Sequence, residues 1–147
     1  MSGLYLDTSA LAKWYLNEPG SSEFEAFISR QAAAAISRLT VLEFRCLVAR
    51  RCRAGDIDVD MERAVLSAFD ADVQGGVFHL LRFDDRLIVE AVGLIGLLAQ
   101  HPLRALDALH LSAARAMNAD RLATADQVMA GAATALGIAV DRFDGFA

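Results

Sequence analysis

The chain has 147 residues, 55% of them hydrophobic and 22% charged, with a formal net charge of -5. That is the size of one domain and apolar enough to build a core without disulfides, which excludes a disordered segment. The acidic balance argues against a general nucleic-acid binder, which neutralises phosphates with excess Lys and Arg, unless the acids gather around divalent cations.

Leu4, Tyr5 and Leu6 predict a short apolar strand ending at Asp7, and Thr8 or Ser9 is placed to cap a helix running to about residue 16. Ser22 and Glu25 have capping-box spacing for a helix over 22–31, followed by a strand over 33–36. A long helix is expected over 38–54, stopped by Gly55, and another over 59–73, closed by Gly75 and Gly76. Residues 77–83 alternate as a strand does. Helices over 85–100 and 102–118 follow, the second opening at Pro102, whose missing N–H costs little in a first turn. A strand over 121–124, a helix over 127–136 and a strand over 138–140 close the chain.

No repeat, low-complexity domain or linker divides the sequence, so one domain over 1–147 is expected. Short apolar strands alternating with helices predict an α/β fold with a parallel sheet covered on both faces. The longest apolar stretch, 87–99, carries Glu90 and falls short of the roughly 20 residues of a membrane span, so it reads as a core helix. Some of the apolar excess is expected to cover a subunit or partner interface. With no basic region leading into an apolar run at the N-terminus, a cytoplasmic location is expected. Cys46 and Cys52, six positions apart on a helical pattern, match no zinc or redox spacing and read as small buried hydrophobes.

Right-handed crossovers bring the C-terminal ends of all strands to one edge, where open α/β folds bind ligands. Asp7 ends the first strand and Asp126 lies just past the strand over 121–124, so both reach that edge. Asp107 stands in an early helical turn, and Glu43 is the only acid between Arg38 and Asp56. Such a set of carboxylates suits Mg²⁺, a hard cation that takes oxygen ligands, keeps several waters and can polarise a phosphate. Each acid also has a structural reading: Asp7 and Asp126 as helix caps, Glu43 as capping-box partner of Thr40, and Asp107 as a complement to the helix dipole. Ser9 and Thr124 flank the cluster as supporting hydroxyls. His110, one turn after Asp107, is open between an acid–base role and a hydrogen-bonded structural histidine. Arg45, Arg50 and Arg51 make the helix that carries Glu43 a candidate track for RNA or an acidic partner.

On these residues the sequence resembles the PIN-domain family over nearly its whole length. LYLDTSALAKWY resembles the family's first strand and acid, SRLTVLEF the segment bearing its glutamate, and LRALDALHLSAA its most recognisable stretch. RLATADQVMAGAATALGIAV resembles the closing strand, helix and strand. The resemblance implies a three-layer α/β/α fold with a five-stranded parallel sheet in the order 3-2-1-4-5. It also implies Mg²⁺-dependent endoribonuclease activity, with Mn²⁺ as substitute, and Asp7, Glu43, Asp107 and Asp126 as catalytic and metal-binding residues. Among PIN proteins it is similar to the VapC toxins of type II toxin–antitoxin systems, which implies a small antitoxin as partner and a homodimer. The alternative is a PIN fold that grips RNA or protein without cutting. A haloacid dehalogenase-type phosphatase wants a second Asp where Ser9 stands, and a phospho-acceptor domain wants a lysine partner where Lys13 is the only lysine.

Overall fold

Side chains along the strands alternate between two cores, and this alternation builds the molecule. In the computed structural model, which describes residues 3–144, β1 (Leu4–Leu6) sends Leu4 and Leu6 to one face and Tyr5 to the other. The remaining strands are β2 (Ala34–Ser37), β3 (Phe78–Leu81), β4 (Arg121–Thr124) and β5 (Ala139–Arg142), all parallel in the order β3-β2-β1-β4-β5. The parallel sheet covered on both faces is the one read from the alternation of strands and helices, and the strand order is the one the family resemblance implies.

One face is covered by α1 (Thr8–Tyr15), α2 (Ser21–Ile28), α3 (Arg38–Arg53) and α4 (Val59–Gln74). The other is covered by α5 (Asp85–Leu97), α6 (Ala105–Ala116) and α7 (Gln127–Ala135). Since β1 is central and its neighbours lead into α3 and α7, helix N-termini and strand C-termini crowd together at one edge.

Helix starts depart from expectation for identifiable reasons. Asp7, not Thr8 or Ser9, caps α1, its Oδ1 accepting the Ala10 N–H at 3.0 Å. The Ser22–Glu25 capping box does not form. Gly20 is the N-cap at φ +93°, where a Cβ would lie 2.6 Å from the Phe143 carbonyl oxygen, and Ser21 donates to Leu16 O instead. Pro102 stays in the loop, because Asp107 accepts the Arg104 N–H at 3.0 Å and so starts α6 at Ala105.

Two burial expectations are also corrected. The stretch 87–99 is not a wholly buried helix: α5 packs Leu87, Ala91 and Leu94 inward, while Val89 and Val92 are 71% and 70% exposed. Cys46 is exposed and Cys52 half-buried, since the buried face of α3 is taken by Thr40, Phe44 and Val48; both are free thiols. Among the described residues, no helix is long and apolar enough to cross a membrane. Terminal residues of the expected 1–147 domain lie outside the described ones.

Candidate active site

At the carboxyl edge a pocket of about 350 Å³ opens between α1, α3, α6 and α7, with Asp7, Glu43, Asp107, His110 and Asp126 in its wall. A larger groove of about 740 Å³ runs beside Leu87 and Ala113, with Arg82 and Arg86 along it. Its charges are mixed and it gathers no comparable set of acids, so the smaller pocket is where chemistry is concentrated.

Asp7 is buried at the end of β1 and both its oxygens are held. Oδ1 accepts from Ser9 Oγ at 2.7 Å as well as from the Ala10 N–H, and Oδ2 accepts from Thr124 Oγ1 at 2.5 Å. Thr124 ends β4, which pairs with β1, so its contact with Asp7 spans 117 positions of sequence. Burial pushes the Asp7 carboxyl above its ordinary value and outweighs the opposing influence of His110 and these hydrogen bonds. A nearby cation would relieve that cost.

The other three acids share a pattern. Asp126 caps α7 through Oδ1, which accepts from the Val128 and Met129 N–H groups at 2.8 and 3.2 Å. Asp107 is held through Oδ2 by the Arg104 N–H. Glu43 is held through Oε1, which takes Thr8 Oγ1 at 2.7 Å and His110 Nε2. In each case one oxygen is tethered, and among the described residues no hydrogen bond reaches the second. Burial works against ionisation of Glu43, but the His110 and Thr8 hydrogen bonds, with the fields of His110 and Arg104, hold its carboxyl below the ordinary value.

The structural readings of Asp7, Asp107 and Asp126 as helix-end residues therefore hold alongside their place in the pocket. The one for Glu43 does not. Ser37 caps α3 and Thr40 Oγ1 accepts its N–H at 3.2 Å, which leaves Glu43, one turn further on, to the site.

Among the described residues no three His, Cys, Asp or Glu side chains converge closely enough to enclose an ion by themselves. The donors fit Mg²⁺ or Mn²⁺ all the same. They are carboxylate oxygens with untethered lone pairs, and Mg²⁺ usually needs only one or two of them beside water and phosphate.

Of the three arginines singled out on α3, only Arg50 lines this pocket. Arg45 pairs with Glu62 of α4 at 3.4 Å, and Arg51 with Glu18 of the loop between α1 and α2 at 2.5 Å. Arg104, exposed beside Asp107, is the second arginine in the pocket's lining. Thr8 was read only as a possible helix cap and Tyr5 only as a strand residue, so their contacts with Glu43 and His110 were missed, and His110 was left open. The spacing of His110 from Asp107 was the one visible signal, because Tyr5 reads as an apolar strand residue until its hydroxyl is found 2.7 Å from His110 Nδ1.

A PIN-domain family model matches residues 4–134. Ribonuclease VapC46 of Mycobacterium tuberculosis is 32% identical over 145 residues, spanning 95% of this chain and 97% of that one. Among solved structures, VapC20 of M. tuberculosis, described as a sarcin-ricin loop cleaving toxin, superposes with a TM-score of 0.75 at 15% identity, covering 95% of this chain and 99% of that one. VapBC2 of Rickettsia felis, bound to a DNA fragment from its promoter, gives 0.67 at 16% identity over 96% and 98%. At such identities the two structures speak for the fold.

Proposed function

The chain belongs to the PIN-domain family, and from that premise we propose that it is a divalent-cation-dependent endoribonuclease acting as the toxin of a type II toxin–antitoxin pair. The observation that carries the reading is the pocket itself, where Glu43, Asp107 and Asp126 each keep one oxygen without a hydrogen bond among the described residues, beside the buried Asp7. The name of the 32% identical relative, a ribonuclease, supports RNA as substrate.

Asp7, Asp107, Asp126 and Glu43 would hold Mg²⁺, or Mn²⁺ in its place. The cation supplies positive charge beside the scissile phosphate, which the net acidic protein otherwise repels. Arg50 and Arg104 in the pocket lining hold flanking phosphates. Glu43, kept ionised, uses Oε2 either to complete the carboxylate set or to hold the water that attacks phosphorus and gives up a proton. The bond from phosphorus to O3′ then breaks and O3′ takes up a proton, leaving 5′-phosphate and 3′-hydroxyl ends. Ser9 and Thr124 keep Asp7 in place through the reaction.

A small antitoxin is the expected protein partner, supported by neighbours solved as VapBC complexes. A second copy of this chain is the expected occupant of the α5 face, where Ile88, Val89, Val92 and Ile95 stand exposed. The chain is read as one nuclease domain working in the cytoplasm.

Cleavage of total cellular RNA by the purified protein, free of any antitoxin, tests the function. Discrete fragments are expected with Mg²⁺ or Mn²⁺ and none with EDTA, Asp7→Asn or Asp107→Asn. Fragments that persist in the mutants would overturn the reading.

A further inference from the structure

Three of the four acids are held by backbone N–H groups: Asp7 by Ala10, Asp107 by Arg104, and Asp126 by Val128 and Met129. Glu43 has the longest side chain of the set and, among the described residues, no backbone donor. Among those residues its hydrogen-bond partners are Thr8 and His110. His110 is itself buried in α6 with both ring nitrogens engaged: Nε2 meets Glu43 Oε1, and Nδ1 lies 2.7 Å from the Tyr5 hydroxyl. That hydroxyl has a second neighbour, Ser37 Oγ, at 3.0 Å. Tyr5 comes from the central strand, His110 from one helical layer and Glu43 from the other.

We propose that His110 is a positioning residue: braced by the buried Tyr5 hydroxyl, it holds Glu43 through Oε1 so that Oε2 stays available to a divalent cation and to water in the pocket. An ionised carboxylate only accepts hydrogen bonds, so Nε2 bears the proton and points it at Glu43. The brace at Nδ1 fixes the ring plane, as partners of the second nitrogen do wherever imidazole must hold one orientation. Thr8 alone leaves Glu43 free to swing about its own torsions.

The inference rests on the metal-dependent reading of the site, and one experiment separates the two. Mn²⁺ binding to the whole metal-free protein is titrated by electron paramagnetic resonance for wild type, Asp7→Asn, His110→Leu, His110→Gln and Tyr5→Phe, with circular dichroism to show that each is folded. His110→Leu is expected to weaken Mn²⁺ binding by roughly 10–100-fold, the usual effect of removing a residue that orients a ligand. His110→Gln, whose amide nitrogen reaches the position of Nε2, restores most of it, and Tyr5→Phe loses several-fold. Nitrogen NMR of the metal-free wild type is expected to show the His110 proton on Nε2.

Wild-type affinity in folded His110→Leu, with binding lost in Asp7→Asn, overturns the positioning role and leaves the metal site standing. Equal weakening by Leu and Gln overturns it too, since packing rather than the donor would then matter. Should His110→Leu fail to fold, the Tyr5→Phe titration and the NMR signature decide, and a proton found on Nδ1 alone overturns the proposal. No Mn²⁺ binding by wild type, or unchanged binding by Asp7→Asn, overturns the metal reading and this inference with it.

Discussion

The two faces of the sheet are filled by different means. Against α1 to α4 the core is aromatic: Phe44 and Phe69 pack with ring centres 4.6 Å apart, Trp14 meets Phe78 edge-on at 5.3 Å, and Phe24 meets Phe143 at 5.1 Å. Against α5 to α7 the buried apolar residues of the described chain are Leu, Met, Ile and Ala, with Tyr5 as their aromatic member. Ala113, Ala114, Ala132 and Ala133 let the backbones of α6 and α7 lie close to the strands. The difference separates bulk stability from placement. The aromatic layer supplies apolar area, while the small-residue layer sets how near Asp107, His110 and Asp126 come to Asp7.

The largest effect that can break this division is on catalysis. Asp7→Asn is expected to lower RNA cleavage by on the order of a hundredfold or more while leaving thermal unfolding no worse than wild type, since it removes a buried carboxylate. A large fall in stability would mean that Asp7 is chiefly a cap. Next is Phe69→Ala in the aromatic layer, which should cost about 3–5 kcal/mol in denaturant unfolding with cleavage per folded molecule unchanged. By contrast Ala113→Leu, which overpacks α6 against the sheet, should cost about 1–3 kcal/mol and also lower cleavage per folded molecule, because α6 carries Asp107 and His110. Equal activity in the two variants would erase the distinction.

Smaller is the pH dependence of the metal-free protein. Asp7 binds its proton more tightly folded than unfolded, so its contribution to stability falls as pH rises from the ordinary 3.8 through the raised folded value. Glu43 has the opposite sign: its contribution is present above the ordinary 4.5 and is lost as pH falls through the lowered folded value. Thermal midpoints measured with chelator should therefore flatten on the rising side in Asp7→Asn and on the acid side in Glu43→Gln. An unchanged profile in both variants would show that neither carboxyl is perturbed by folding. The least change in stability is expected from Val89→Glu on the exposed face of α5, within about 0.5 kcal/mol for the single chain. Sedimentation should nonetheless show a dimer turned to monomer, and a dimer that persists would place the second copy elsewhere.

Much of the site was legible because its acids stand at element ends. A carboxylate after a short apolar strand, or in the first turn of a helix, is visible in one dimension, and parallel topology alone carries Asp7 and Asp126 to the same edge. Capping was less legible. Ser22 with Glu25 and Thr40 with Glu43 both have capping-box spacing, but Gly20 and Ser37 start those helices, because the entry of the preceding chain decides which residue is first. The α3 arginines read as one basic track, yet at helical spacing Arg45, Arg50 and Arg51 face different neighbours.

By itself the sequence determined the succession of strands and helices and the parallel sheet, which follow from local periodicity, and it carried Asp7 and Asp126 to one edge through the handedness of crossovers. Only the tertiary structure decided that Tyr5 braces His110 across 105 positions, that Thr8 and His110 share one oxygen of Glu43, and that α5 keeps an apolar face outside. Periodicity shows that a residue belongs to a strand or helix. Which polar atom it meets depends on how two helical layers close over the sheet, and that distance is set by the side chains between them.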